Sequence, residues 1–333
     1  MSDKFVTAIV LLLLASALPA HGQSKGERRR ARLDSLLTAR YFRTNYDSAY
    51  VVRPEGRWTL KLRLNQTGNS INSKGTVDGI KAKADLETDH KTTVSVGASY
   101  RGLSLGLAIN PGKIGGFYND YELNLNFYSS RLSFDISYQK ASSLSGDIEY
   151  GRTYHLEEDD VNMKMLNIAG YYTFNHRRFC YPAAFTQSFI QKRSAGSWLV
   201  GFSYQGGSIK TTDELRQRVK EASEMRLYVG YFGIGGGYGY NWVLGKKWLL
   251  HLSVVPTFAV YNRNNLTIDG ERREAGPVRL NMMFNERAAI VHNFSPRYFI
   301  GATMTMNNSL FEDDVVDVDQ SKWRARAFLG VRF

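Results

Sequence analysis

The sequence predicts an all-β fold: a single antiparallel transmembrane β-barrel of about twelve strands, with short turns at one end and long loops at the other. Three observations predict it. Apolar residues recur at every second position through most of the chain, which is the period of a strand. The connections alternate between short and long. The tryptophans gather where strands meet the short connections.

The last stretch, 322–333, shows the alternation most plainly. Trp323, Ala325, Ala327, Leu329, Val331 and Phe333 are apolar, while Arg324, Arg326 and Arg332 fall between them. A soluble sheet would turn the greasy face to a core; a membrane barrel turns it to lipid and the arginines to a wet interior. The terminal aromatic favours the barrel, because bacterial outer-membrane barrels end this way, and it marks the last strand as the contact for barrel-assembly machinery.

Composition agrees. Of 333 residues, 43% are hydrophobic, with 20 Tyr, 18 Phe, 5 Trp and 30 Gly but 7 Pro. That mixture suits many strands joined by turns. Beyond the leader, no stretch approaches the roughly 20 apolar residues of a transmembrane helix. Residues 1–22 read as a secretion leader: Lys4, an apolar run over 5–18, then Ala20-His21-Gly22 before Gln23. They imply export by the general secretion route. Cys180 is the one cysteine, so no internal disulfide forms. The net charge of +12 invites nucleic acid, but the leader and the lack of a helix-turn-helix, zinc-finger or RNA-recognition signature argue against it. Outer-membrane lipid, lipopolysaccharide headgroups and anionic small solutes are the expected partners.

In order along the chain, residues 23–56 form a periplasmic N-terminal segment. Leu33, Leu36 and Leu37 at helical spacing make a short helix one reading of 25–43, and a disordered basic tail the other. The barrel is expected over 57–333. Alternation then marks strands through Leu60–Leu62–Leu64, Val94–Val96–Ala98, Leu103–Leu105–Leu107, Tyr121–Leu123–Leu125–Phe127, Leu132–Phe134–Ile136–Tyr138 and Leu166–Ile168–Gly170–Tyr172. Further strands start at Trp198, near Met225, at Trp248, near Val278 and at Tyr298, before the closing strand. The short connections fall near 101–102, 129, 244–247 and 295–297, the expected periplasmic side. The long ones fall near 66–91, 110–119, 141–162, 206–223, 263–276 and 309–320. A soluble sandwich has no reason to sort its loops by parity. Trp58, Trp198, Trp242 and Trp248 sit at the short-turn ends, Trp323 at the other end, and Phe333 at the terminus, as membrane-interface aromatics do.

The inward positions are strongly basic: Lys61, Arg63, Arg279, Arg287, Arg297, Arg324, Arg326 and Arg332, with Glu122 and Asp135 opposing them. Such a lumen favours anions if open, but a bore this narrow can be filled by side chains, and a constricted lumen is expected over an open one. Gly233, Gly235, Gly237 and Gly239 share the inward face and leave either a groove for another backbone or a sheet bend. The connection 176–196 is the natural occupant of a groove: it is the one long connection on the short-turn side and is aromatic and basic. Its candidate plug residues are His176, Arg177, Arg178, Phe179, Tyr181, Pro182, Phe185, Gln187, Phe189, Lys192 and Arg193.

No catalytic, metal or cofactor motif is found. His176, His251 and His292 are available as bases and Ser188, Ser194, Ser197 and Ser253 as nucleophiles, but no G-x-S-x-G or H-E-x-x-H pattern appears. His251 and Ser253 share a strand face at i, i+2, as many pairs do by chance.

Residues 100–111 (Y-R-G-L-S-L-G-L-A-I-N-P), 120–126 (D-Y-E-L-N-L-N), 131–139 (R-L-S-F-D-I-S-Y-Q) and 174–197 (F-N-H-R-R-F-C-Y-P-A-A-F-T-Q-S-F-I-Q-K-R-S-A-G-S) resemble the outer-membrane barrels of Bacteroidota grouped as domain-of-unknown-function family 4421. The resemblance covers roughly 45–333. It implies a β-barrel in a Gram-negative outer membrane. It carries no established activity, so it transfers no catalytic or ligand residue. The expected role is porin-like or transport-associated; a closed docking barrel is the alternative, and a barrel-embedded lipid-modifying enzyme stands third.

Overall fold

A computed structural model gives the fold. It describes Arg32, Ser35 and residues 45–333 except 55, 57, 78, 101–102, 110–119, 220–223, 275–277 and 314–315. The expected leader, the turn at 101–102 and the loop at 110–119 therefore lie outside the described residues. In the segment expected to be a short helix or a basic tail, Arg32 and Ser35 are helical.

The described residues of the unit Asn45–Phe333 form antiparallel β-structure with two short helices. In chain order its first strands are β1 (Val51–Val52), β2 (Trp58–Val77), β3 (Ile80–Thr88), β4 (Lys91–Tyr100) and β5 (Leu103–Ile109). Next come β6 (Tyr121–Tyr128), β7 (Leu132–Ala141), β8 (Leu144–Tyr150), β9 (Arg152–Leu156) and β10 (Val161–Thr173). Helix α1 (Tyr181–Phe185), β11 (Ile190–Gln191), β12 (Ala195–Thr211) and helix α2 (Asp213–Arg218) follow. The chain ends with β13 (Met225–Leu244), β14 (Trp248–Ile268), β15 (Glu271–Glu274), β16 (Val278–Asn293), β17 (Tyr298–Asp313) and β18 (Val316–Arg332). Among the described residues no helix is long and apolar enough to cross a membrane, which says nothing of strands.

The sheet is strongly curled. Its ladder runs β7-β10-β12-β13-β14-β16-β17-β18-β2, so the last long strand pairs with the first. Trp58 and Phe333 seal that junction with reciprocal N–H···O bonds of 2.8 and 2.9 Å. Beyond β2 the path continues through β3 to β8, and β8 follows β7 in the chain after two residues. At that end the ladder thus returns to where it began. At the other end β5 pairs with β4 and β6 with β7.

Burial runs opposite to that of a soluble sheet. On β2, Leu62 is 45% exposed while its neighbour Lys61 is 4% exposed. The same inversion holds on β12, β14, β16 and β18, where Val200, Leu252, Ile290 and Leu329 face out and Ser203, Ser253, Arg287 and Arg332 are buried inside the curl. The aromatics form a belt around the short-turn end. Trp198 is 68% exposed and meets Tyr238 edge-on at 5.2 Å; Tyr240 meets Trp242 at 4.7 Å and Trp248 meets His292 at 4.2 Å.

The expected long loops are a correction. Residues 66–91 hold the second half of β2 and all of β3, paired from Ser70–Glu87 to Val77–Ile80. Likewise 141–162 holds β8 and β9, 263–276 holds the end of β14 and β15, and most of 309–320 is β17 and β18. These extensions have polar residues on both faces, as in Asn65–Gly75. A strand whose inward and outward residues are both mostly polar, the inward ones bonded as Asn69 is to Gln320, loses the apolar alternation but keeps its ladder, so periodicity alone misses it. In 206–223 the expected helical turn is α2, whose N-cap Thr212 hydroxyl accepts from the Leu215 amide.

Candidate functional site: the plugged interior

The connection between β10 and β12 folds into the curl at its short-turn end. A turn over residues 175–179 carries the chain inward, and Pro182 in the first turn of α1 is compatible with the free amides there. After α1 the chain reverses at Gln187, whose φ of 55° is left-handed. A non-glycine residue held there costs about 1–2 kcal/mol, so something must hold it. The Gln187 carbonyl accepts two hydrogen bonds from Arg332, at 3.1 and 3.2 Å, and its side-chain oxygen accepts from Lys61 at 2.9 Å. Lys61 also donates to the Thr186 carbonyl. Two cations of the wall thereby fix the strained end of the plug.

Residues 46–52 complete the plug, which the sequence did not suggest. β1 pairs with β11, and Tyr46 meets Phe189 edge-on at 4.9 Å. The plug then joins the wall through two apolar clusters. In one, Val51, Cys180, Ala183 and Ala184 pack on Leu249, Val291, Phe299 and Phe328. In the other, Phe179 and Tyr181 pack on Tyr171, Leu199 and Val255.

Cys180 is a probe of this arrangement. It is fully buried, and burial pushes its thiol up to about 12. The thiolate is the reactive form. A maleimide added to the folded protein will therefore leave Cys180 unmodified for hours, and unfolding will release stoichiometric labelling. Prompt modification of folded protein would mean that the plug does not sit as described.

Past the plug, the interior is crossed by polar layers. Arg287 on β16 forms an ion pair with Asp135 on β7 and donates to the hydroxyls of Tyr128 at 3.1 Å and Tyr171 at 3.0 Å. Higher up, Glu122 faces Lys322 at 3.5 Å and Arg324 at 3.2 Å. Gln205 bonds Gln320, which donates to Asn69 at 3.2 Å. A polar cavity of about 50 Å³ lies between these layers, lined by Asn124, Asp135, Asn285, Arg287, Asn307 and Arg324 among others. That is room for a few waters. Among the described residues no group of three or more His, Cys, Asp or Glu side chains could hold a metal ion.

Residues 45–333 match the profile of the family described as "Domain of unknown function (DUF4421)". The chain belongs to this family. No curated protein matches the sequence. Solved structures similar to this DUF4421 chain include the outer-membrane protease OmpT of Escherichia coli, at 6% identity and TM-score 0.43, covering 84% of this chain and 97% of that one. The outer-membrane protein OprG of Pseudomonas aeruginosa is similar at 12% identity and TM-score 0.30, with coverage of 84% and 97%. The toluene transporter TodX of Pseudomonas putida is similar at 8% identity and TM-score 0.26, with coverage of 84% and 91%.

In the DUF4421 chain the predicted site residues divide as follows. Lys61, Arg287 and Arg332 are buried in the interior, and Arg63, Arg324 and Arg326 are partly buried there. Arg297 is not a lining residue. It lies exposed in the turn 295–297, where strand parity no longer sets direction. The Arg279 side chain lies outside the described residues. Of the plug candidates, Phe179, Tyr181, Pro182 and Gln187 are buried, Phe185 and Phe189 are partly buried, and Arg177, Arg178, Lys192 and Arg193 face solvent. His176 is half-buried beside Arg131, at 3.3 Å.

The four glycines also divide. At Gly239 a Cβ would stand 3.0 Å from the Phe179 ring, so the plug docks there. At Gly235 and Gly237 a Cβ would overlap the Pro256 and Val254 carbonyl oxygens of the adjacent strand, and at Gly233 it would crowd Met283. The β14 ladder passes over Gly236 and Gly237. Three of the four thus allow a tight sheet bend, and the expected groove shrinks to one position. Gly-rich strands permit both, and only the neighbours decide.

The sequence reading missed Lys91 and Lys322. Lys91 pairs with Asp120 at 2.5 Å with both side chains almost fully buried, and Lys322 donates to Ser137 at 2.7 Å. Both share the inward parity of their strands, with Thr93 and Ser95 and with Arg324 and Arg326, so the signal was present. Of the nucleophile candidates, Ser194 and Ser197 accept backbone amides of Val243 and Asn175, and Ser188 bonds Thr186. His292 packs on Trp248 on the outer face.

Proposed function

We propose that this protein is an integral β-barrel of a Gram-negative outer membrane whose lumen is shut at rest by an internal plug, and that passage of small polar solutes follows plug displacement. The observation that carries this is the inverted burial: outward leucines and aromatics around an enclosed polar interior, the pattern lipid selects. Counted by collinear segments, with β3–β4, β7–β8, β9–β10 and β15–β16 each one wall strand, the wall has about twelve strands, an even number as single-chain bacterial barrels have. Residues 1–22 serve as the leader, the short turns and plug face the periplasm, and the closing strand meets the assembly machinery. The surplus of lumenal cations favours anionic solutes.

Planar-bilayer conductance tests this. The full-length protein is expected to be silent, and deletion of 180–192 is expected to give steps of defined size, with a lower unfolding temperature. Unchanged silence with unchanged heat stability would sink the plug reading. A second reading, a permanently closed docking barrel, draws on the exposed cations at the plug mouth, Arg177, Arg178, Lys192, Arg193, Lys246 and Lys247. It predicts salt-sensitive capture of an acidic envelope partner and no conductance after deletion.

A further inference from the structure

Behind the plug, three side chains on adjacent strands form a chain of hydrogen bonds that neither the gating nor the docking reading uses. His251 and Ser253 stand on the inner face of β14, and Asn241 stands beside them on β13, where Asn241 and His251 are register partners. His251 Nδ1 is 2.7 Å from Asn241 Oδ1, and His251 Nε2 is 3.0 Å from Ser253 Oγ. All three residues are buried.

The polarity of this chain follows from its far end. Asn241 Nδ2 donates to the Cys180 carbonyl and to Gln191 Oε1, each at 3.1 Å. Two acceptors on that side put the amide nitrogen there, so the amide oxygen faces His251 and must accept. His251 therefore carries its proton on Nδ1, and Nε2 is a lone-pair base aimed at the Ser253 hydroxyl. Ser253 donates to it. That leaves Ser253 Oγ free to accept from the Tyr181 hydroxyl at 2.9 Å. An orienting acceptor, a neutral imidazole of defined tautomer and a serine hydroxyl in this order are the parts of an acyl-transfer centre. Asparagine is an accepted orienter in such a set.

We propose that Ser253, His251 and Asn241 form a latent serine-hydrolase centre for small carboxylic esters, held inactive by Tyr181 of the plug. The Tyr181 hydroxyl occupies the place next to Ser253 Oγ that a substrate carbonyl needs. Its ring fills a slot walled by Phe179, Phe185, Tyr128 and His251, at centroid distances of 5.1, 5.7, 6.1 and 5.1 Å. An acyl or aryl group of about that size is what the slot takes once the ring withdraws. Arg287 is the register partner of Ser253 on the next strand, so its guanidinium, paired with Asp135, adds positive charge to this part of the interior. In the first step the Ser253 Oγ–carbon bond forms, the serine proton passes to His251 Nε2, and the ester C–O bond breaks as that proton moves to the leaving alkoxide. Water then loses a proton to His251 and attacks the acyl carbon. Ser253 leaves, is reprotonated, and a carboxylic acid is released.

The test is to open the slot without removing the plug. Tyr181→Ala leaves a cavity of ring size beside Ser253; Phe185→Ala opens the slot from the other side. Each variant is purified in detergent, and folding is checked by heat-modifiable gel mobility. Each is then treated with a fluorophosphonate probe and assayed with p-nitrophenyl acetate. The wild-type protein is expected to stay unlabelled. At least one folded variant is expected to label at Ser253 and to hydrolyse the ester at least tenfold faster than the same variant carrying Ser253→Ala. Adding His251→Gln to that variant is expected to abolish labelling. Folded variants that neither label nor exceed their Ser253→Ala controls overturn the proposal. If neither variant folds, mass-spectrometric detection of Ser253 labelling in the 180–192 deletion decides the matter in the same two ways.

Discussion

Arginine in place of Leu62 will destabilise the folded protein in lipid vesicles by about 2–4 kcal/mol, the cost of a cation at the middle of the hydrocarbon layer. Leu62 stands midway along the outward run of β2, between Trp58 at one edge of the apolar band and Gly68, against which Trp323 packs, at the other. The side chain is 45% exposed. In a water-soluble sheet the same substitution would be within about 0.5 kcal/mol of neutral, because exposed positions tolerate charge. Urea unfolding in vesicles measures the difference. A series with Leu60→Arg, Leu64→Arg and Gln66→Arg should show the penalty peak at the band centre and fade toward Gln66. A flat profile would remove lipid from the account of this wall.

Loss of Arg287 gives the second large effect. Arg287→Ala is expected to destabilise the protein by about 3–5 kcal/mol, because it leaves the Asp135 carboxylate inside the curl without its cation. Arg287 is 4% exposed as a side chain and Asp135 17%, so water does little to screen the pair. The Tyr171 hydroxyl also loses its partner, while Tyr128 keeps its bond to Asp135. Replacing both charged residues with apolar groups of similar volume should recover most of the loss, since a buried pair gains little over well-packed hydrocarbon. Equilibrium unfolding of the two singles and the double closes the cycle. A single-variant loss below about 1 kcal/mol would mean that the interior is wetter than its geometry indicates.

Legibility followed the alternation signal. Where one face meets a different medium from the other, as at Leu60–Leu62–Leu64 against Lys61 and Arg63, parity named the faces correctly. Where both faces are polar, as along Asn65–Gly75, the alternation fades and a long strand reads as a loop. Parity also fails at Arg297, which lies in a turn, and it does not tell a bend from a groove at Gly235 and Gly237. The plug segment stood out by composition, but its partner β1 did not, because Val51–Val52 is too short to carry a period. His251 and Ser253 shared a face on any reading; Asn241, one strand away, entered only when the β13–β14 register was known.

Local chemistry in the chain determined the strands, which side of each is apolar, the aromatic ends and the surplus of inward cations, since all of these are properties of a residue and its neighbours two positions away. The tertiary structure alone decided which walls face each other across the interior, that Lys61 and Arg332 grip Gln187, and that Tyr181 sits on Ser253. Tyr181 reaches Ser253 across 72 positions, Lys61 reaches Gln187 across 126 and Arg332 reaches Gln187 across 145. No periodicity within a strand encodes them, because they depend on how far the whole sheet curls.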